Sequence, residues 1–248
     1  MKNQLVLPGL AVAIEPPQEA PAQASKREGN VLDVLLKMFD VVQENTHQAN
    51  RACFNQLVRL LADCLRIHPL PEKDRAVAER LLPLAISYFE TCFEDPWAWL
   101  GEVFERRNCA NERLGQHVTP RSVVQFMVVS TMGQLPEDGT HPITVLDPCA
   151  GTGRFLVEVA TRYKDKPLGL FGIEIDLDLY RAALVNMRTF AFGRPYFILR
   201  ADALVLDARR GSSNWLLYGN LWNPPHWEKM QFIVAESQGE HKGHEQEH

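Results

Sequence analysis

The sequence lacks the features that mark secreted and membrane proteins. No apolar run approaches the roughly 20 residues that a membrane-spanning helix needs, and the opening Met-Lys-Asn-Gln does not begin a secretory signal. The five cysteines are an odd number and include no CxxC pair. These absences exclude a disulfide framework and a zinc site. They favour a cytoplasmic protein with reduced thiols, no bound metal and no membrane contact.

A long basic stripe is also missing. The formal net charge is −5, and basic pairs such as Arg106-Arg107 and Arg209-Arg210 stand alone. A protein that binds DNA by itself usually carries a basic face, because neutralising phosphates supplies much of the affinity. This net charge does not exclude DNA as a partner. It predicts that this chain alone binds DNA weakly and that tight binding needs a second protein.

Residues 1–29 are predicted to be a flexible N-terminal segment. Residues 11–29 are rich in Ala, Pro, Gln and Glu, a composition that buries little surface. They separate the short apolar stretch Gln4–Leu10 from the rest of the chain. This stretch is either an unstructured terminus or a docking peptide. It resembles the Gln-Leu-x-Leu-Pro peptides with which bacterial DNA enzymes bind the replication sliding clamp.

Residues 30–111 have the apolar periodicity of helices. Apolar side chains recur at spacings of three and four, as in Leu32, Leu35, Phe39 and Val42. The pattern predicts a helical domain of four or five helices, whose apolar positions carry no chemistry.

From residue 112 the pattern changes to strands that alternate with helices. The predicted strands are 143–146, 168–175, 196–200 and 215–218. Helical patterns lie between the first three, which indicates βαβ units and a parallel sheet. An α/β domain is therefore expected over 112–235, and the polar residues 236–248 are expected to form a disordered tail.

A glycine-rich loop, Asp-Pro-Cys-Ala-Gly-Thr-Gly, follows the first predicted strand of this domain. Gly151 and Gly153 permit a tight turn and let the backbone approach a ligand closely. Glu174 ends the next strand, where a carboxylate in a Rossmann-like fold hydrogen-bonds the ribose of a nucleotide. A dinucleotide such as NAD would favour Gly-x-Gly-x-x-Gly, which this loop does not have.

Five short motifs in one order resemble those of adenine-N6 DNA methylases. Asp147–Gly153 resembles their Asp-Pro-x-x-Gly-(Ser/Thr)-Gly signature. Gly172–Asp176 and Asp202–Leu204 are similar to the second and third motifs, and Asn223–His226 resembles the catalytic Asn-Pro-Pro-(Tyr/Phe). Leu114–Pro120 is similar to the Gly-Gln-x-x-Thr-Pro element of type I restriction-modification methylase subunits. The resemblance implies a Rossmann-like S-adenosylmethionine-dependent methyltransferase fold with an N-terminal helical domain.

The resemblance also implies residue roles. The loop that begins at Asp147 holds the methionine part of S-adenosyl-L-methionine, Glu174 holds the ribose, and Asp202 meets the adenine amino group. The expected cofactor-binding residues are Gln116, Thr119, Asp147, Cys149, Gly151, Gly153, Glu174, Ile175, Asp202, Ala203 and Asn223. The expected catalytic residues are Asn223, Pro224, Pro225 and His226. Thr119 is predicted to be a helix cap and Pro120 a first helical residue, so that the helix Arg121–Met132 presents free amides near the cofactor carboxylate.

The Asn-Pro-Pro motif suits the methylation of an exocyclic amine. The adenine amine is a poor nucleophile, because its lone pair is delocalised into the ring. The side-chain oxygen of Asn223 and the carbonyl of Pro224 can accept its hydrogen bonds, and proline keeps the loop rigid. The fourth residue of the motif stacks on the flipped base, and such stacking is worth roughly 1–3 kcal/mol per base.

Two features depart from the family pattern. The fourth residue is His226, whose imidazole is smaller than a phenol and becomes charged near neutrality. Only 21 residues follow Trp227, too few for the seven-stranded sheet of a complete methyltransferase, so the chain is expected to be truncated after the motif. The strand Trp215–Tyr218 would then expose an apolar edge. We expect Phe232–Ala235, the helical domain, a partner protein or a second copy of the chain to cover it.

Three functions stay open. The leading one is S-adenosylmethionine-dependent N6-adenine methylation of DNA, with a partner that supplies specificity. His226 and the missing strands favour instead a cofactor-binding or interaction protein that no longer methylates. Asn-Pro-Pro enzymes also methylate protein glutamine and RNA, but the Gly-Gln-x-x-Thr-Pro element favours DNA.

Overall fold

The structure, a computed structural model, describes residues 3–7, 10–14, 31–111, 116–132, 143–191 and 193–204. In chain order its elements are β1 (Asn3–Leu7), β2 (Leu10–Ile14), α1 (Val31–Thr46), α2 (Asn50–Cys64), α3 (Arg75–Thr91), α4 (Trp99–Arg106), α5 (Arg121–Met132), β3 (Ile143–Asp147), α6 (Arg154–Arg162), β4 (Leu168–Glu174), α7 (Leu177–Phe190) and β5 (Tyr196–Arg200). A short 3₁₀ turn, Glu72–Asp74, directly precedes α3.

Strands β1 and β2 pair in an antiparallel hairpin within the segment for which composition predicted flexibility. Asn3 lies opposite Ile14, and Leu7 lies opposite Leu10. Two five-residue runs rich in apolar residues, separated by a Pro-Gly dipeptide, are a hairpin signal that the overall composition of the segment obscured. The apolar stretch Gln4–Leu10 therefore includes most of β1 and the first residue of β2.

Helices α1 to α4 lie within 30–111, where the apolar periodicity predicted helices, and are together called the helical domain. Helix α1 buries the apolar face that its periodicity indicated, with Leu35, Met38, Phe39 and Val42 fully inaccessible to solvent. It packs against α2, α3 and α4. The rings of Phe54 on α2 and Phe104 on α4 meet edge to face, with their centroids 5.1 Å apart.

The three strands β3, β4 and β5 form a parallel sheet in that order. Helix α6 connects β3 to β4, and α7 connects β4 to β5, so the sheet is built from two βαβ units. Every residue of the central strand β4 is buried, which explains its nearly continuous apolar sequence. Among the described residues, β3 pairs on one side only. The predicted fourth strand, 215–218, lies outside the described residues.

The helical domain and the sheet share one hydrophobic core. Helices α2 and α4 both pack against α7, and α5 packs against α6. This packing brings the helical domain close to the loops that follow β3 and β4. None of the described helices combines the length and the apolar character needed to cross a bilayer.

Candidate cofactor site

A cleft of about 620 Å³ lies at the carboxyl ends of the parallel strands. This volume is ordinary for a small-molecule site, and open parallel sheets bind ligands at this edge. Nine of the residues that sequence analysis assigned to the cofactor line the cleft: Gln116, Thr119, Asp147, Cys149, Gly151, Glu174, Ile175, Asp202 and Ala203. Gly153 does not line the cleft, and Asn223 lies outside the described residues.

The glycine loop between β3 and α6 forms one wall. Gly151 has a φ of +55°, and a Cβ there would project into open space, so the backbone is bare toward the cleft. Gly153, with φ +83°, precedes α6, and a Cβ there would lie 3.5 Å from Ala183 on α7. Gly151 therefore permits approach of a ligand, whereas Gly153 permits the turn and the packing of α6 on α7.

Glu174 joins the glycine loop to the end of β4. Its Oε2 accepts a hydrogen bond from the Gly151 amide at 2.8 Å, and its Oε1 accepts one from the Asp176 amide at 2.8 Å. Each carboxylate oxygen has a further lone pair, which remains available to ligand hydroxyls. The next residue, Ile175, is 58% exposed and lines the cleft, so it offers an apolar surface beside the carboxylate.

The cleft carries negative charge. Burial raises the pKa of Asp147, the amide of Cys149 lowers it, and the nearby charge of Glu174 raises it further; the net shift is upward. Partial burial, followed by the charges of Asp147, Glu174 and Asp202, raises the pKa of Cys149, so its thiol stays protonated at neutral pH. Carboxylates close enough to raise the pKa of a neighbour favour a ligand that brings positive charge.

The loop after β5 lies at the far end of the cleft from α5. The Ala201 amide donates to the carbonyl of Glu174 at 3.2 Å, which ties this loop to the end of β4. Asp202 Oδ1 accepts a hydrogen bond from the Leu204 amide at 2.9 Å, and its other oxygen has no partner among the described residues. Asp202 can therefore accept a hydrogen bond from a ligand amine.

The connecting segment Gln116–Pro120, between the helical domain and α5, forms the opposite wall. Gln116 Nε2 donates to Asp176 Oδ2 at 3.0 Å, and its Oε1 accepts from the Asn111 amide at 3.0 Å. The predicted helix Arg121–Met132 is α5, with the predicted bounds. The Pro120 carbonyl accepts from the amides of the third and fourth residues after it, so Pro120, and not Thr119 as predicted, lies just before the helix. Proline has no amide to donate, so it can also occupy the position just before a helix.

Arg154, inside the signature motif, is a residue of the cleft that sequence reasoning missed. It is only 5% exposed, its Nη1 donates to the Thr119 carbonyl at 2.5 Å, and its Nη2 pairs with Glu102 Oε1 at 2.8 Å. The guanidinium also lies over the Trp97 ring, 5.3 Å from the centroid. A lone arginine after a glycine loop gives no sequence signal of burial, because its partner Glu102 is 52 residues away.

The predicted catalytic residues Asn223, Pro224, Pro225 and His226 lie outside the described residues, as do Trp215–Tyr218 and Phe232–Ala235. The described part of the chain therefore contains the nucleotide-binding half of the predicted site. Its bare glycine backbone, the Glu174 carboxylate at the end of β4, exposed Ile175 and anionic charge fit a nucleoside that carries a cationic group.

Together, the parallel sheet, the glycine loop and the carboxylate at the end of the second strand define a Rossmann-like methyltransferase fold. A solved structure from Listeria monocytogenes, described as a candidate class I S-adenosylmethionine-dependent methyltransferase, resembles this chain with a TM-score of 0.50 at 17% identity. The match covers 71% of this chain and 53% of that one. The predicted fold class is thereby confirmed.

A sequence profile described as N-6 DNA Methylase matches residues 98–234, more than half of the 248 residues. The chain therefore belongs to the N-6 DNA methylase family, as its motifs predicted, and S-adenosyl-L-methionine is the cofactor of that family. The matched range includes α4, the connecting segment, the glycine loop and Glu174.

A type I restriction-modification methyltransferase subunit from Streptococcus thermophilus matches at 18% identity with a TM-score of 0.37. That match covers 73% of this chain and 41% of the other. This chain therefore spans about half of the length of the first solved relative and less of the second. Curated protein sequences give no significant match.

Proposed function

We propose that this chain binds S-adenosyl-L-methionine in the cleft and transfers its methyl group to the exocyclic amine of adenine in DNA. The observation that carries the cofactor part is the hydrogen bond between the Gly151 amide and Glu174, 2.8 Å long. It places the bare backbone of the glycine loop beside a buried carboxylate within the range matched by the N-6 DNA methylase family.

Different residues of the cleft contact different parts of the cofactor. Glu174 accepts hydrogen bonds from the ribose hydroxyls through the lone pairs that its two backbone donors leave free. Ile175 packs on the face of the adenine ring, and Asp202 accepts a hydrogen bond from the adenine amine. Asp147 lies near the ammonium group of the methionine part, where its negative charge is compensated.

Bound S-adenosylmethionine supplies a methyl group that is already activated on a sulfonium sulfur. The protein must then position the target amine, and this role falls to the Asn-Pro-Pro motif. The Asn223 side-chain oxygen and the Pro224 carbonyl accept hydrogen bonds from the amine and favour a pyramidal nitrogen. His226 stacks on the extruded base in place of the aromatic residue of the motif.

A partner supplies target recognition in this proposal. The type I restriction-modification likeness of Leu114–Pro120 supports DNA as the substrate and a further subunit as the partner. The net charge of −5 supports weak binding of DNA by this chain alone.

His226 favours a second candidate, a cofactor-binding or interaction protein that no longer methylates. An imidazole stacks less extensively than a phenol and gains charge as the pH falls. The two candidates share the cofactor site and differ only in the transfer step. Methylation of protein glutamine or RNA would use the same Asn-Pro-Pro chemistry on another amine.

Transfer of labelled methyl groups to mixed-sequence DNA tests the proposal. We expect the parent chain to label DNA weakly, His226→Tyr to label it more strongly, and Asp147→Ala to label it much less. Parallel reactions with RNA and with a glutamine-containing peptide test the other substrates. If the parent and His226→Tyr both bind cofactor but neither labels DNA, the interaction protein is the correct function.

A further inference from the structure

Arg51, on α2 of the helical domain, extends all three of its nitrogens toward the cofactor half of the molecule. Its Nε donates to Asp178 Oδ2 at 2.6 Å, and its Nη2 pairs with Asp176 Oδ1 at 2.5 Å. Its Nη1 donates to Gln116 Oε1 at 3.1 Å and to the Cys109 carbonyl at 3.0 Å. One guanidinium therefore contacts the β4–α7 loop, the start of α7 and the connecting segment at once.

Asp176 connects Arg51 to the residues that line the cleft. Its Oδ1 accepts hydrogen bonds from the amides of Asp178 and Leu179 and so caps α7, while its Oδ2 accepts from Gln116. Its own amide donates to Glu174 Oε1 at 2.8 Å. Burial by itself raises the pKa of Asp176, but the hydrogen bonds from Leu179, Gln116 and Asp178 and the charge of Arg51 bring it below its ordinary value.

A continuous set of polar contacts therefore runs from Arg51 through Asp176 and Glu174 to Gly151. The same arginine holds Gln116, which lines the opposite wall of the cleft. A planar guanidinium can donate to several oxygen atoms at once in a fixed arrangement. A lysine ammonium on its flexible side chain cannot make the same set of hydrogen bonds.

We infer that Arg51 is a positioning residue for the cofactor, so that the helical domain is part of the S-adenosylmethionine site. Arg51 sets the distance between the Glu174 carboxylate and Gln116 and thus the ribose end of the cleft. The inference rests on the proposed cofactor role of Glu174. It assigns to the helical domain a function beyond packing, although no residue of 30–111 belongs to the five motifs.

Arg107, directly after α4, provides a matched control. Arg51 lies 5.1 Å from the centroid of Phe104, and Arg107 lies 5.1 Å from the centroid of Phe39. The two side chains are 28% and 29% exposed, and Arg107 pairs with Asp40 at 2.5 Å. Arg107 thus matches Arg51 in exposure and in its ring contact and has an ion pair, but its side-chain contacts are to Asp40, Phe39 and the Leu36 carbonyl, and none of its hydrogen bonds reaches the cleft.

Calorimetry with the full chain compares S-adenosylhomocysteine and its 2′-deoxyribose analogue on the parent, Arg51→Lys and Arg107→Lys. We expect Arg51→Lys to raise the Kd for S-adenosylhomocysteine about tenfold and to bring the ratio of the two Kd values toward one. Arg107→Lys should keep both the Kd, within about twofold, and the ratio. Thermal unfolding without ligand reports the loss of stability in each variant, and Arg51→Gln repeats the test if Arg51→Lys does not fold.

An equal change in Kd for both arginine variants, or an unchanged ratio in Arg51→Lys, would show that Arg51 only stabilises the fold. Equal affinity of the parent for the two analogues would also overturn the inference, because Glu174 would then not contact the ribose. Failure of DNA methylation would refute the proposed transfer reaction but leave these binding results intact.

Discussion

Arg154 on α6 and Glu102 on α4 form an ion pair of 2.8 Å that joins the glycine-loop helix to the helical domain. The arginine is 5% exposed and the glutamate 22%. Glu102 Oε1 also accepts a hydrogen bond from Trp97 Nε1 at 3.1 Å. A single carboxylate oxygen therefore accepts hydrogen bonds from a buried guanidinium and a buried indole. The pair fixes Arg154, which in turn holds the Thr119 carbonyl at the cleft wall.

Removal of this carboxylate should destabilise the protein strongly. Glu102→Ala leaves the buried guanidinium without its counter-ion, and we expect the free energy of unfolding to fall by about 3 kcal/mol. Urea unfolding measures the change. Glu90→Ala, at an exposed position on α3, is the control and should change stability by less than about 0.5 kcal/mol. Equal effects of the two substitutions would mean that the pair contributes no stability.

Gly101 provides the space for the Arg154 side chain. A Cβ at this position would lie 2.5 Å from Arg154 Nε and 2.8 Å from Thr152 Oγ1. Helix propensity favours alanine over glycine by about 1 kcal/mol, but overpacking a tight site costs typically ~1–3 kcal/mol. We expect Gly101→Ala to lower the unfolding free energy rather than raise it.

A double-mutant cycle checks this cause. In an Arg154→Ala background the nearest obstacle is absent and only Thr152 Oγ1, 2.8 Å from the added Cβ, remains, so Gly101→Ala should lower the unfolding free energy less than it does in the parent chain. If Gly101→Ala stabilises the parent chain as an ordinary helical substitution does, the close approach of α4 to Arg154 is not present in solution.

Alanine substitutions at Gly151 and Gly193 distinguish the cost of backbone strain from an effect on ligand binding. Both have positive φ, +55° and +78°, and a Cβ at either would meet no described atom within 4 Å. Alanine should therefore cost each site about 1 kcal/mol of stability, the penalty of the left-handed conformation. Only Gly151 lines the cleft, where a methyl group occupies space that the cofactor needs.

Calorimetry with S-adenosylmethionine should then distinguish the two variants. We expect Gly151→Ala to weaken binding at least tenfold and Gly193→Ala to leave it unchanged. Similar affinities for both variants would place the cofactor away from the glycine loop.

The βαβ units were predictable from the sequence because each of their elements has a strong local signature. Strand β5 has the predicted bounds, and β4 ends at Glu174, one residue before the predicted end. A strand buried on both faces is apolar throughout, and its end is marked by the first carboxylate. The position of Glu174 at the cleft follows from this strand end together with the binding of ligands at the carboxyl ends of parallel strands.

The contacts of Arg51 and Arg154 were not predictable, because they depend on tertiary packing. Arg51 and Asp178 are 127 residues apart in the chain, and only the packing of α2 on α7 brings them together. A single arginine on an amphipathic helix has the sequence pattern of a solvent-exposed residue. Pro120 replaces Thr119 at the position just before α5 for a local reason, because threonine and proline both fit positions at or before a helix start.

Asp147 should make cofactor affinity depend on pH. Without ligand, burial first and the charge of Glu174 in addition raise its pKa above the ordinary 3.8, although the Cys149 amide opposes the shift. A cationic ligand beside the carboxylate favours the ionised form and lowers this pKa again. Below the raised pKa, binding must therefore release a proton, so affinity falls as the pH falls through that value and is constant above it.

The same upward shift makes the ionised carboxylate unfavourable in the ligand-free fold. Its destabilising effect is present above the raised pKa and disappears as the pH falls through it, opposite to a carboxylate in an ion pair. Calorimetry with S-adenosylmethionine over a pH series measures the dependence, and Asp147→Asn is the comparison. We expect the variant to bind more weakly at neutral pH but with a flat profile in the acidic range. An equal slope in both proteins would assign the proton to a group other than Asp147 and would remove Asp147 from contact with the cationic end of the cofactor.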